Sequence, residues 1–357
     1  MRYKKWAKAY LSIVLSVISL FALFNYAIDP LWTFCHSNRY NNAQPGFDER
    51  QLKTNRAYFC GLEQYDALLL GSSRVTYINQ HDFKTMNVFN YAGVSMYPVE
   101  YKGWIDQAKK IKGEDFKTVI IGADFWGSNA GSFAQHQMNN TPPPSHYLDT
   151  TDSFFYRYKM LFTMDTLDRS IESIEHSSNL GTTDYTRDNV KQTIKVSAQR
   201  KQQAVNTQVS LYQNRFYGKG YVYNSKIKGY LENLKKENPK TRFIIFTTPI
   251  AADLFKILIQ SGNLPDYKRW MTQLVDTFGE VYDFMGVNSI TSYPDNYADL
   301  HHFYPYIGTL IADRLSGTPN KLLPDDFGIR VTKENLQAHF EAIDRQAEKY
   351  VGRRAGQ

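Results

Sequence analysis

Two short stretches of the chain combine residue types that together could move an acyl group. The first is Gly71-Ser72-Ser73-Arg74, which closes the apolar run Ala67-Leu68-Leu69-Leu70. A serine at the tip of a strand, preceded by glycine and followed by a helix, presents its hydroxyl near a helix amino terminus. The dipole there favours developing negative charge. The same serines also suit plain capping, with Ser72 or Asn79 as the cap. The second stretch is Asp299-Leu300-His301-His302, followed by Phe303-Tyr304-Pro305 and an apolar helix beginning around Ile307-Gly308. Aspartate and histidine three residues apart can set a carboxylate against one imidazole nitrogen, leaving the other free to take a serine proton. The plainer reading is a helix cap by Asp299 beside surface histidines. The His301-His302 pair with Asp295 and Asp299 also raises a metal. No further ligand is close in sequence and no thiolate is at hand, so no metal is assigned.

Such residues need a frame to meet. Apolar runs at 67–70, 88–91, 118–121, 243–246 and 281–284 each end at or near glycine, or at Thr247-Thr248-Pro249. Helical spacing fills several intervals, as at 98–112 and 265–278. Short apolar strands alternating with helices predict a parallel sheet covered on both faces, with ligands beyond the carboxyl ends of its strands. A long interruption at about 126–225 carries Pro142-Pro143-Pro144, many aromatics and helix-like stretches at 151–176 and 187–205. It reads as a helical insertion or cap in the same domain.

Taken together, the blocks have an order. Ser73 follows strand one, Gly93 strand two, Gly122-Ala123-Asp124 strand three, and Asp-x-x-His strand five. In this order the chain resembles the SGNH (GDSL-like) hydrolase superfamily. More closely it resembles membrane-anchored bacterial proteins of the DltD-like and polysaccharide O-acetylation group. Tyr26-Ala27-Ile28-Asp29-Pro30, Phe89-Asn90-Tyr91-Ala92-Gly93, Gly122-Ala123-Asp124-Phe125-Trp126 and the late Asp326-Phe327-Gly328 also match that group. The resemblance covers nearly the whole chain outside 126–225.

It implies a three-layer α/β/α sandwich with a mainly parallel five-stranded sheet of flavodoxin-like order. It also implies a serine esterase or O-acyltransferase acting on a cell-envelope glycan or another acylated substrate, with no cofactor. A multi-pass membrane acyltransferase is the implied partner. Ser73 matches the nucleophile, His302 the general base and Asp299 its orienting carboxylate, with His301 a neighbour. The backbone N–H groups of Ser73 and Gly93 match oxyanion donors. Asp124 departs from the pattern, because asparagine usually stands there to donate to the oxyanion, and an ionised aspartate cannot. Asn129 or Asn90 are the nearby amides that could substitute.

Residues 9–28 carry no charge and follow Arg2, Lys4, Lys5 and Lys8. Twenty uncharged, mainly apolar residues span roughly 30 Å as a helix, enough for a bilayer core. The cationic run predicts a cytoplasmic amino terminus and an exported remainder, in the periplasm or outside the cell beyond a bacterial inner membrane. A cleaved signal needs small residues at −3 and −1. Ala27 has Asn25 at that spacing and Ala22 has Leu20. A buried core helix is the third reading. Of the formal charge of +7, four units belong to the first eight residues, leaving 38 basic against 35 acidic over 29–357. That ordinary surface offers no basic stripe for nucleic acid. The mean hydropathy of −0.48 excludes a polytopic membrane protein.

The expected organisation is a basic segment 1–8, an anchor 9–28, a connector 29–62, the α/β domain 63–318 and a tail 319–357. An amphipathic helix is expected to start at Thr332, with Leu336, Phe340, Ile343, Ala347 and Tyr350 on its buried stripe. Two cysteines are too few for a disulfide scaffold. Once exported, however, Cys35 and Cys60 can bridge a 25-residue loop, stabilising by about 3–4 kcal/mol. The rival to an enzyme is a non-catalytic envelope protein that keeps the scaffold for glycan binding or assembly. The 26 Tyr, 22 Phe and 5 Trp would then offer stacking surfaces, although most such rings belong to cores.

Overall fold

The computed structural model describes residues 2–138 and 141–351. Residues 1, 139–140 and 352–357 lie outside the described residues, as does the Tyr350 side chain. The strands in chain order are β1 (Ala43–Gln44), β2 (Ala67–Gly71), β3 (Val88–Asn90), β4 (Thr118–Ala123), β5 (Thr183–Thr186), β6 (Lys191–Thr193), β7 (Arg242–Thr247), β8 (Glu280–Asp283) and β9 (Ile329–Thr332). The chain divides into two units. One comprises 1–62 with 145–194, the other 63–144 with 195–357.

The larger unit is built on a six-stranded sheet in the order β3-β2-β4-β7-β8-β9. The first five strands pair in parallel and β9 runs antiparallel to β8. The sheet is therefore mixed and six-stranded, which corrects the expected mainly parallel five-stranded one. The addition comes from Ile329-Arg330-Val331-Thr332, assigned in sequence to a polar tail and the start of a helix. Val331 is buried against β8 while its neighbours face outward, so one alternating side suffices for an edge strand. The tail helix starts later, at Leu336–Val351, and buries Ile343 and Ala347. Every residue of β2 and β4 is buried, as expected for strands covered on both faces. The amphipathic helices Tyr101–Lys112 and Leu264–Phe278 supply part of that cover against β2 and against β7 and β8.

The smaller unit holds a helix of 27 residues, Arg2–Ile28, of which Tyr3–Ile28 is long and apolar enough to cross a membrane. Its carboxyl end is tied down by side chains, since Asn38 and Asn41 donate to the carbonyls of Ala27 and Ile28 at 2.8 Å. The expected connector 29–62 is ordered. It contains β1, the helix Glu49–Phe59 capped by Asp48, and a Cys35–Cys60 disulfide with Cα atoms 5.7 Å apart. Residues 145–194 belong to this unit, whereas the sequence reading attached all of 126–225 to the α/β domain. Nor is that stretch wholly helical. β5 and β6 form an antiparallel hairpin that extends β1 into a small sheet, turning at Asp188-Asn189 with Asn189 at φ 60°. The threonines and tyrosine of Thr183–Thr186 favour a strand, and asparagine tolerates the left-handed turn.

Inside the smaller unit, Glu49 accepts hydrogen bonds from Lys191 at 2.7 Å and Tyr185 at 2.8 Å. Lys53 is buried beside them. Burial, opposed by Glu49, pulls its ammonium down to about 7.

Candidate active site

The proposed site residues all belong to the larger unit and gather at the carboxyl ends of its parallel strands. Gly71 ends β2 at φ 151°, and a β-carbon there would meet Val75 Cγ2 at 2.3 Å and the Gly122 carbonyl at 2.9 Å. Only glycine lets the chain turn this tightly between two strands. The turn splits the two serines. Ser72 is buried and its Oγ accepts the Arg74 N–H at 3.3 Å, whereas Ser73 is half-buried with its hydroxyl free of the turn. The expected helix after the serines is one 3₁₀ turn, Val75–Tyr77, so no long helix dipole points at Ser73.

The Asp-x-x-His stretch is a tight loop pinned by the Tyr297–Phe303 bridge and by the Ala298 N–H on the His302 carbonyl at 2.8 Å. Asp299 both caps this loop and orients the imidazole. Its Oδ1 accepts the N–H groups of His301 and His302, each at 2.8 Å, and its Oδ2 accepts from His302 Nδ1 at 2.7 Å. The helix Pro305–Ser316 follows and is capped at Tyr304, not at Asp299. A β-carbon on Gly308 would meet the Tyr77 carbonyl at 2.7 Å. That close approach seats the helix on the turn that follows the serines. The result is a row: Ser73 Oγ lies 3.1 Å from His302 Nε2, whose other nitrogen is held by Asp299.

The electrostatics suit such a row. Burial opposes ionisation of Asp299, but the His302 hydrogen bond and the neighbouring imidazoles outweigh it and hold its carboxyl well below the usual range. Burial, with His302 and Arg74 adding like charge, drives His301 well below its ordinary value and keeps it neutral. Asp299, His301 and His302 also offer one ligand atom each within 4.8 Å of one another, a donor set that suits a zinc-like cation. Asp295 is not in that group; it lies 3.8 Å from Lys201. Both nitrogens of His302 already face protein partners, which fits proton transfer better than ligation.

The oxyanion expectations fare differently. Asp124 is buried, and its Oδ1 accepts from Arg74 Nη1 at 2.7 Å and from the Thr248 hydroxyl. Among the described residues Oδ2 is buried without a hydrogen-bond partner, while Oδ1 is occupied as an acceptor and offers no donor to an oxyanion. The Gly93 N–H donates to the Gly71 carbonyl at 3.1 Å, continuing the β2–β3 ladder, and is likewise committed. Asn90 spends its amide on the carbonyls of Val75 and Ile78, and Asn129 on those of Arg215 and Phe216. Among the described residues, the Ser73 N–H is the donor of the expected set that has no acceptor.

Arg74 is the residue that the sequence reading left without a role. Its guanidinium is fully buried and donates to Asp124, to Thr248 at 3.2 Å and to Tyr212 at 2.7 Å. Burial opposes its charge, but Tyr212 and Asp124 hold it above its ordinary value. Burial also pushes Tyr212 up to about 12, so its hydroxyl keeps its proton. With Arg74 donating to that oxygen, the proton is left to face His301 Nδ1 at 3.3 Å. Tyr212 opens the π-turn Tyr212–Phe216 after the helix Ala198–Leu211, so the retained part of the insertion reaches the site. Arginine directly after Ser73 is the available signal, because a buried guanidinium demands a carboxylate. A cleft of about 420 Å³ abuts the row from the carboxylate side. It is lined by Asp299, Leu300, Lys201 and Ala251 but by neither Ser73 nor His302.

No protein-family model, curated protein or solved structure matches the chain.

Proposed function

We infer that the chain is a membrane-tethered serine acyl-transfer enzyme of the SGNH type. The observation that carries this reading is the row of Ser73, His302 and Asp299, with contacts of 3.1 and 2.7 Å. In the reaction, the Ser73 hydroxyl proton passes to His302 Nε2 as Oγ bonds to the acyl carbon. Asp299 keeps the imidazole oriented and stabilises the imidazolium. The C–O bond to the leaving alcohol then breaks and His302 returns the proton to it, leaving an acyl ester on Ser73. Water or a sugar hydroxyl resolves that ester by the same steps reversed, giving an esterase or an O-acyltransferase.

The order of the five parallel strands, β3-β2-β4-β7-β8, is the flavodoxin-like order that the resemblance implies. The apolar helix supports a single-pass protein in a bacterial cytoplasmic membrane, with the charged amino terminus inside and the domain in the periplasm or outside the cell. A cell-envelope glycan as acceptor and a multi-pass acyltransferase as partner rest on the resemblance alone. A second reading, a non-catalytic envelope module for glycan binding or assembly, draws on one observation. Asp124 and the Gly93 N–H are both committed away from the oxyanion.

Hydrolysis of p-nitrophenyl acetate by the detergent-solubilised full chain, with and without chelator, tests the proposal. Turnover that survives chelator and vanishes in Ser73→Ala supports it. Turnover that needs a metal, or that persists in Ser73→Ala, contradicts it.

A further inference from the structure

The segment 152–164 of the smaller unit turns large apolar side chains away from the protein. Phe154 is 77 % exposed, Phe162 56 % and Met164 64 %, with Phe155 and Tyr158 also exposed. Phe155 holds φ at 59°, a conformation that a bulky side chain resists. Burying these rings in the unit's own core would remove that exposure; the backbone instead presents them outward.

Their position is fixed by the last turns of the apolar helix. Asn25 donates to the Leu161 carbonyl at 2.9 Å and accepts from Ser170 at 2.9 Å. From the same end, Tyr26 packs edge-on against Phe34 at 4.8 Å, and Phe34 meets Tyr158 at 6.0 Å. Arg157 lies over the Phe34 ring at 4.5 Å, and Lys159 is exposed. The exposed rings therefore continue the apolar surface of the helix at the level where it ends, with basic side chains among them. Aromatic rings rimmed by lysine and arginine are the composition that settles at the boundary between lipid tails and headgroups.

We propose that the segment 152–164 is a second membrane contact, lying in the headgroup boundary of the same bilayer that the helix crosses. It rests on the reading of Tyr3–Ile28 as an anchor. Two points of contact, the helix and the ring cluster, hold the smaller unit in one orientation on the surface. A single flexible tether would leave that orientation free.

The test uses the full chain in vesicles of phosphatidylethanolamine and phosphatidylglycerol, with single nitroxide labels at Phe154→Cys, Phe162→Cys, Leu15→Cys and Leu180→Cys. The native cysteines are bridged to each other and do not compete for the label. Collisions with oxygen exceed those with a water-soluble nickel chelate at 154 and 162, as at 15, while 180 shows the reverse. Labels at 154 and 162 that match 180, while 15 remains in lipid, overturn the proposal. Labels at 154 and 162 shielded from both reagents mean that protein covers them, which also overturns it. A water-exposed label at 15 overturns the anchor reading and the proposal together.

Discussion

Among the described residues, the smaller unit sets one histidine against an aspartate and the larger unit sets two, His339 on Asp283 and His302 on Asp299. Of these, His302 is the one whose other nitrogen meets a serine hydroxyl. In the smaller unit, His176 Nδ1 meets Asp184 Oδ1 at 2.5 Å, and Asp184 Oδ2 accepts the Gly181 N–H at 2.6 Å. The pair closes the turn between the helix Met164–Ser178 and β5, and no hydroxyl stands at the other nitrogen of His176 among the described residues. In the larger unit, Asp299 does the same local work on its own loop, but His302 turns its second nitrogen to Ser73 at 3.1 Å. An imidazole–carboxylate pair is thus a common way to close a loop. The third group, placed from 229 positions away, is what makes chemistry available.

The buried cations differ in a parallel way. Arg74 stays charged beside Asp124, while Lys53 is pulled down to about 7 next to Glu49 and Lys191. A delocalised guanidinium is a permanent charge, and a desolvated ammonium titrates. The Arg74 guanidinium therefore keeps its charge across the physiological range, whereas Lys53 loses its charge near neutrality.

The sharpest way to separate His302 from His176 is to remove each. His302→Ala is expected to lower ester hydrolysis by about 10⁴–10⁶, and Asp299→Asn by about 10⁴ with the fold intact, read as kcat on p-nitrophenyl acetate. Because the Asp299 carboxyl is held well below the usual range, the pH–rate profile should show no limb from its protonation in the ordinary carboxylate range. Next in size, Arg74→Met leaves Asp124 buried without its cation and costs about 3–5 kcal/mol, measured by denaturant unfolding. The double change Arg74→Met with Asp124→Leu recovers most of that loss.

Lys53→Met should act in the opposite direction, stabilising the smaller unit by about 1–4 kcal/mol at neutral pH, because Glu49 keeps Lys191. The sign follows from proton uptake. Between about pH 7 and the ordinary lysine value the unfolded chain binds the extra proton, so native stability rises with pH across that window. The variant removes that part of the slope. Smallest of all, His176→Ala should leave ester hydrolysis unchanged and cost about 1–3 kcal/mol, since it strips one donor from a buried carboxylate.

Much of this frame is legible in the chain itself. The five parallel strands announce themselves as apolar runs ending in glycine or threonine, and the Ser…Asp-x-x-His order points to residues that do meet. The helix Glu49–Phe59 is hard to see in the sequence because its buried face is mostly polar, with Lys53, Thr54 and Asn55 turned inward beside Leu52 and Ala57, so no continuous apolar stripe marks it. β9 was missed because an edge strand needs one buried residue, and Val331 provides it. The departure at Asp124 is legible in its residue type, but its Arg74 partner and the engagement of the Gly93 N–H by the Gly71 carbonyl appear only once the chain is folded.

The central claim is that Ser73, and not Ser72, is an activated nucleophile. Exposing the full chain to a fluorophosphonate and locating the adduct by mass spectrometry tests it most directly. One phosphonyl group should appear on Ser73, persist in Ser72→Ala and disappear in His302→Ala. An adduct on Ser72, or none on a chain whose fold is intact, would contradict the account.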